Sequence, residues 1–410
     1  GRLFKPAFLE YLLTFSLRVD VDAVAEGAVV FPHEPLVRVM GPIMDCQLIE
    51  TALLNCVNFE TLIATKGERV CLAADSPVAE FGLRRAQGED GGLRASRAAV
   101  VGGCASTSNV LAGKLFNIPV SGTHAHSWVM SFDNELEAFR EYARVMPKNC
   151  VLLVDTYDTL KSGIPNAIRV FTEMRNAGIP LTYYGIRMDS GDLAYLSKQV
   201  RKMLDEAGFS DAVISASNDL DEYLIESLKL QGATISSWGV GTNLITSKDN
   251  PAFGGVYKLA AIRTADGSFQ PKIKLSENVE KVTNPGNKTF YRVYDKKTGK
   301  IKADLICLYD ETFDESEDLK LFDPNAPWKK TRLPGGSYTL REMLIPVIKN
   351  GKTVYTSPSV MEILEICNHE KDTIWDETKR FVNPQEIYVD LSQKLYDMKT
   401  ALLNEMSMDS

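Results

Sequence analysis

The stretch VLLVDTYDTLKSGIPNAIRVFTEMRNAGIPLTYYGIRMDSGD, residues 151–192, decides the fold class. Val151 to Val154 is a short apolar run without alternation. That pattern reads as a strand buried on both faces, and it ends on Asp155. Ile164 to Asn176 has helical spacing and is closed by Gly178, and Leu181 to Ile186 is a second strand ending at Arg187. The unit repeats downstream. A helix over Gly191 to Glu206 is closed by Gly208, and Ala212 to Ser215 is a third strand. A helix capped by Asp219 or Asp221 then runs to Leu230 and stops at Gly232, and Ile235 to Val240 is a fourth strand. Apolar strands alternating with helices predict a parallel sheet covered on both faces, either a closed (β/α) barrel or a doubly wound open sheet. In both, chemistry gathers where strands end, and Asp155, Arg187 to Asp192, Ser217 to Asp219 and Gly239 to Thr242 fall there.

The flanks read differently. Val19 to Val39 alternates and is broken by Gly27, Pro32 and Pro35, which predicts short antiparallel strands. From Lys272 the chain alternates again, with turns at 284–287 and 297–300. We therefore expect a smaller β-rich domain built from both ends, residues 1–42 and 272–410, around a central domain over residues 43–271.

With 46 Lys and Arg against 54 Asp and Glu, the net charge is −8, which argues against a general nucleic-acid surface. An anionic substrate must then meet a local basic pocket. Seven widely spaced cysteines without a CxxC pair speak against a disulfide framework or a zinc site and for a reducing compartment. No apolar run is long enough to span a membrane, and GRLFKPAFLE at the start carries no signal-peptide core or lipidation signal. The expected location is cytoplasmic, with no membrane partner.

Four segments carry candidate chemistry. A strand running into Gly239, Gly241 and Thr242 offers backbone N–H groups and a hydroxyl to a phosphate, although a plain tight turn has the same sequence; Ser217 and Asn218 add donors at the preceding strand end. In GIRMDSGD, Arg187 can fork onto a carboxylate or phosphate, and Asp189 and Asp192 can hold hydrated Mg²⁺, while DSGD also reads as a helix cap. Thr123 to His126 places two histidines at i and i+2, which on a strand face the same way. They read as a metal pair in a barrel hydrolase, as a nucleophile that accepts a phosphoryl group, or as core histidines. Arg84 and Arg85 precede GEDGG, a setting that suggests a loop able to approach an anion.

GLRRAQGEDGG, SNVLAGKLFNIPVSGTHAHSW, LLVDTYDTLKSGIPNA, RMDSGDL, SNDLDE and VGTNLIT followed by GGVYKL resemble, in order and spacing, the nicotinate phosphoribosyltransferase family from about Val29 to Lys281. The resemblance implies an irregular (β/α) barrel of the type II phosphoribosyltransferase kind, with a second, split β-rich α+β domain. It also implies a homodimer with active sites near the interface, acting on nicotinate, phosphoribosyl pyrophosphate and ATP with Mg²⁺. On the matching positions, His126 becomes the phosphorylated histidine and Asp189 a second catalytic residue. Thr123 and Arg187, with Arg84, Ser127 and Ser190, become substrate-binding residues. Thr242, Gly241, Gly239, Ser217 and Asn218 become phosphate-binding ones. The family also carries an N-terminal segment with a tyrosine that stacks on the pyridine ring. Nothing before Phe4 matches it, so the natural chain is expected to start further upstream. The alternatives are a nicotinamide or quinolinate phosphoribosyltransferase, a metal-dependent barrel hydrolase using His124 and His126, or a silent binding homologue.

Overall fold

The computed structural model describes residues 3–275, 282–324, 326 and 328–408; Lys281, where the resemblance ends, lies outside them. Among the described residues no helix is long and apolar enough to cross a membrane. The chain divides into two compact units.

One unit comprises Cys56–Gly254 with Ser359–Leu364. Its sheet contains β1 (Val78–Glu80), β2 (Ser106–Thr107), β3 (Asn149–Leu153), β4 (Tyr183–Met188), β5 (Val213–Ala216) and β6 (Ser237–Val240). All neighbours are parallel, in the order β2-β1-β6-β5-β4-β3. A doubly wound sheet reverses direction at a switch point. Here the last strand returns to the first, so the order is cyclic and the sheet is an incomplete barrel, open between β2 and β3. Leu152, Ile186, Ile214, Trp238 and Val240 are buried along it, as parallel strands covered on both faces require.

The helical punctuation follows the sequence closely. The helix Ile164–Asn176 has the expected bounds, and Gly178, Gly208 and Gly232 take φ of 71°, 78° and 76° just past their helices. Asp221, not Asp219, caps the third helix by accepting from the Leu224 amide. Asp192 Oδ1 accepts from the Tyr195 amide and so starts its helix at Leu193, the capping role that DSGD also allowed. Two expectations are corrected. GEDGG is no loop, because Gly88–Val101 is helical with Glu89 and Asp90 favourably placed in its first turn. Thr123 to His126 is no strand either: residues 121–125 are irregular and His126 opens the short helix His126–Met130.

The other unit comprises Gly1–Asn55, Gly255–Pro358 and Glu365–Ser410, so it is built from N-terminal and C-terminal segments of the chain. Asp20–Val24 pairs antiparallel with Val37–Met40 and with Leu344–Lys349. A six-stranded sheet contains the long hairpin Lys288–Asp295 and Ile301–Leu308, and Tyr388–Leu391 adds to it in parallel. Residues 43–55 and 255–271, read from the sequence with the central domain, fall in this unit. The units change between Asn55 and Cys56, inside the helix Ile43–Ala74, so the sequence carries no break at that place.

Arg292 is wholly buried in this unit. It donates to both Asp304 oxygens at 3.0 and 2.8 Å, to Glu370 at 3.1 Å and to the Val29 carbonyl at 2.7 Å. Arg341 pairs with the other Glu370 oxygen at 2.7 Å. Burial, and then the neighbouring Asp304, push the Glu34 carboxyl up, so it stays a neutral acid beside the pair.

Candidate active site

The C-terminal ends of β3, β4 and β5 build one hydrogen-bonded cluster. Arg187, at the end of β4, donates from Nε to Ser217 Oγ at 2.8 Å, from Nη1 to Thr123 Oγ1 at 2.7 Å and from Nη2 to Asp189 Oδ1 at 3.4 Å. Ser217 in turn donates to Asp189. Three of the five guanidinium N–H groups are thus used for aim, and two remain for a ligand. The guanidinium carbon lies 5.6 Å from the centre of the Phe81 ring, just past β1.

Asp155, one residue beyond Val154, is the keystone of the other half. Its Oδ2 accepts from the Asp189 amide at 2.8 Å and from Ser190 Oγ at 2.6 Å, which fixes the loop after β4. Its Oδ1 is buried without a hydrogen-bond partner. His126 faces that atom: Nε2 is 3.9 Å from Asp155 Oδ1 and 3.8 Å from Asp189 Oδ2, and Nδ1 is 3.1 Å from Thr156 Oγ1. The His126 side chain is 40% exposed and Asp155 only 2%, so the ring is open to an incoming group while the carboxylate beneath it is sealed. Asp155 Oδ1 and Asp189 Oδ2 are hard oxygens beside one nitrogen, and the orphaned buried oxygen fits a divalent cation. Among the described residues no group of three potential ligands assembles, so such an ion would fill its remaining positions with water or phosphate.

His124 does something else. The barrel is open beside β3, whose edge amide at Leu153 would lack a partner, and His124 Nε2 accepts from it at 3.1 Å. On the other side of the opening the Ser121 amide donates to the Thr107 carbonyl of β2 at 3.0 Å. The segment 121–126 therefore bridges the gap. The His124 ring packs on Tyr142 with centroids 4.6 Å apart. Nε2 accepts from the backbone and Nδ1 lies 3.4 Å from the Ala125 carbonyl, so both ring nitrogens of His124 are engaged away from a metal shared with His126.

Burial, and secondarily the Arg187 charge, push the His124 imidazole down to about 4. The unfolded chain binds that proton near pH 6.5, so folded stability is complete above pH 6.5 and falls as pH drops toward 4, by roughly 3 kcal/mol in all. His124→Gln, which keeps an acceptor, should lose this slope. Denaturation at pH 7 and pH 4.5 checks it, and equal pH slopes for the two proteins would refute the assignment.

Asn218 is exposed with φ of 124°, a strained backbone at the β5 end, and its Oδ1 accepts from the Asp219 amide. Thr242 opens a single helical turn, Thr242–Ile245, after Gly241. A Cβ at Gly239 would sit 2.6 Å from the Phe81 ring, so this glycine is explained by packing as well as by any ligand. Arg84 is exposed in the turn Leu83–Arg85. Ser127 lines a cavity of about 570 Å³ with Trp128, Tyr142, Val145 and Met146, and makes no hydrogen bond to the Arg187 cluster among the described residues. Sequence reasoning named Asp155 as a strand-end residue but gave it no role, and it missed Phe81 and Thr156. Their only signal was adjacency to strand ends.

The chain matches three family models: the nicotinate phosphoribosyltransferase family over residues 77–300, and that family's N-terminal and C-terminal domains over residues 2–58 and 287–399. A nicotinate phosphoribosyltransferase of Bacillus subtilis is 47% identical over 382 residues, 93% of this chain and 76% of the relative. One of Homo sapiens is 32% identical, covering 97% and 82%. The crystal structure of the human nicotinic acid phosphoribosyltransferase superposes with a TM-score of 0.82 at 28% identity, covering 97% of this chain and 85% of that one. A nicotinate-nucleotide pyrophosphorylase structure from Pyrococcus furiosus, at 23% identity and a TM-score of 0.69, shares the fold over 89% of this chain and 84% of that one.

Proposed function

The chain belongs to the nicotinate phosphoribosyltransferase family and is thereby an enzyme of NAD biosynthesis, and we propose that it couples transfer to ATP hydrolysis through a phosphohistidine at His126. Nicotinate and 5-phosphoribosyl 1-pyrophosphate would give nicotinate mononucleotide and pyrophosphate. The observation that carries this reading is the aimed guanidinium of Arg187, with two N–H donors left for the carboxylate and the Phe81 ring beside it for the pyridine. The ring nitrogen attacks ribose C1 as pyrophosphate departs. Thr242, Gly241, Gly239, Ser217 and Asn218 line the β5 and β6 ends where the sugar's phosphate groups would lie. Arg84, Ser127 and Ser190 are assigned to substrate more loosely.

His126 Nδ1 lies 3.1 Å from Thr156 Oγ1, and in the tautomer that donates Nδ1–H to that oxygen the lone pair is on Nε2. That nitrogen attacks the γ-phosphorus of ATP, ADP leaves, and hydrolysis of the phosphoramidate restores the histidine. Two carboxylates beside Nε2 would repel the incoming phosphate, so Asp155 and Asp189 are proposed to hold Mg²⁺, which neutralises charge on the phosphates when bound. A homodimer is proposed as well. Val110, Leu111 and Leu115 are exposed on one short helix, and Val120 packs on Gly113 of that helix before leading into Thr123. A second copy covering this face would border the site.

The test is formation of nicotinate mononucleotide from nicotinate, phosphoribosyl pyrophosphate and Mg²⁺, with and without ATP. Product that rises with ATP supports both parts; no product with nicotinate, but turnover of nicotinamide or quinolinate, would replace the base. Arg187→Ala should erode the preference for nicotinate over nicotinamide by about 2 kcal/mol, roughly thirtyfold, because only the acid matches the guanidinium charge. An unchanged ratio of kcat/KM values would remove Arg187 from base recognition.

A further inference from the structure

The sequence separates Cys71 from Cys104 by 33 residues, yet their sulfurs lie 3.9 Å apart. Glycines bring them together. A Cβ on Gly102 would sit 2.2 Å from the Ala64 carbonyl oxygen, and one on Gly67 would sit 3.3 Å from that of Ala99. The helices Ile43–Ala74 and Gly88–Val101 therefore touch backbone to backbone, and the chain leaves the second helix through Gly103 at φ of 105°. A side chain at either of the first two glycines would spread the helices and part the thiols. Cys71 is half-buried and Cys104 fully buried, so the pair presents one sulfur outward and keeps the other behind it.

We propose that Cys71 and Cys104 are a modification site that a peroxide converts to a disulfide within the folded protein. Cys71 Sγ attacks a peroxide oxygen, the O–O bond breaks, and water leaves a sulfenic acid on Cys71. Cys104 Sγ then attacks the Cys71 sulfur and displaces hydroxide, which takes the Cys104 proton and leaves as a second water. Two thiols lose two electrons and two protons, and the peroxide is reduced to water. The sulfurs are already in contact at 3.9 Å, and the bond brings them to about 2.0 Å. The order of events follows from the setting: the Cys71 sulfur and burial hold the Cys104 thiol protonated, so oxidation begins at Cys71. The bond ties the end of one helix to the residue that leads into β2, closing a loop around β1, and so it removes freedom from the unfolded chain.

The experiment uses the full chain treated with a small excess of hydrogen peroxide. Remaining thiols are blocked with N-ethylmaleimide in denaturant, and the protein is digested with trypsin. The expected product joins peptide 70–84 to peptide 98–114, is lost on treatment with dithiothreitol, and is absent from Cys71→Ser. The exposed Cys56 should remain unlinked. The oxidised protein should melt several degrees above the reduced one, because a bond formed in native geometry staples the fold. Cys71 recovered as sulfinic acid beside a free Cys104 thiol would overturn the proposal. So would a linked product that melts below the reduced protein, since that bond would have required unfolding to form.

Discussion

His126→Asn is expected to lose all phosphoryl-enzyme formed from ATP, and with it the acceleration that ATP gives to transfer. His126 Nε2 faces both Asp155 and Asp189, whereas His124 is spent on the Leu153 amide. Asparagine retains a polar group opposite Thr156 Oγ1 but offers no nucleophilic nitrogen, so Asp155 and Asp189 should keep their places. Removal of a covalent nucleophile costs on the order of a thousandfold or more in the step it serves. Transfer without ATP should persist, because Arg187, Thr123 and Ser217 do not depend on the imidazole. The measurement pairs acid-quenched incorporation of label from γ-labelled ATP with product formation at saturating and zero ATP. ATP that still accelerates the variant would show that another group carries the phosphate.

The second large effect is on folding. Arg292→Met should destabilise the protein by about 3–5 kcal/mol, a large fraction of the stability of an ordinary domain. Methionine fills the space but leaves Asp304 buried without its bidentate partner, Glu370 with Arg341 alone, and the Val29 carbonyl with one donor fewer. Breaking a buried pair costs more than the pair contributes, because an uncompensated charge stays behind in a medium that solvates it poorly. A double variant, Arg292→Met with Asp304→Leu, should recover a substantial part of the loss. Chemical denaturation of both compares them. A single variant within about 0.5 kcal/mol of the natural protein, the ordinary surface range, would show that the network is not structural.

The network also explains why the β-rich unit takes the form it does. Glu34, Arg292, Asp304 and Glu370 come from three separate stretches of chain and are buried together, the acids around one guanidinium. Alternation around 19–39 and after 272 signalled strands. It could not signal that Asp20–Val24 would lie against Leu344–Lys349, since a strand's own period of two says nothing about its partner.

Within the barrel the division between sequence and structure is just as clear. The strand and helix alternation, the glycine stops at Gly178, Gly208 and Gly232, and the gathering of Arg187, Asp189 and Ser217 at strand ends were all legible, because they are set by local backbone preference and short-range periodicity. The choice between barrel and open sheet was not, since it rests on β6 pairing with β1 across about 160 residues. Nor could the sequence tell two histidines apart at i and i+2. That was decided by the opening between β2 and β3, which turns one ring onto an unpaired edge amide and leaves the other facing Asp155 and Asp189. Asp155, Thr156 and Phe81 gain their roles from what lies opposite them, and so does the contact of Cys71 with Cys104. Local chemistry determined which elements form and where reactive side chains leave them. Only the curled sheet, by bringing distant strand ends within hydrogen-bond reach, decided which of those side chains meet.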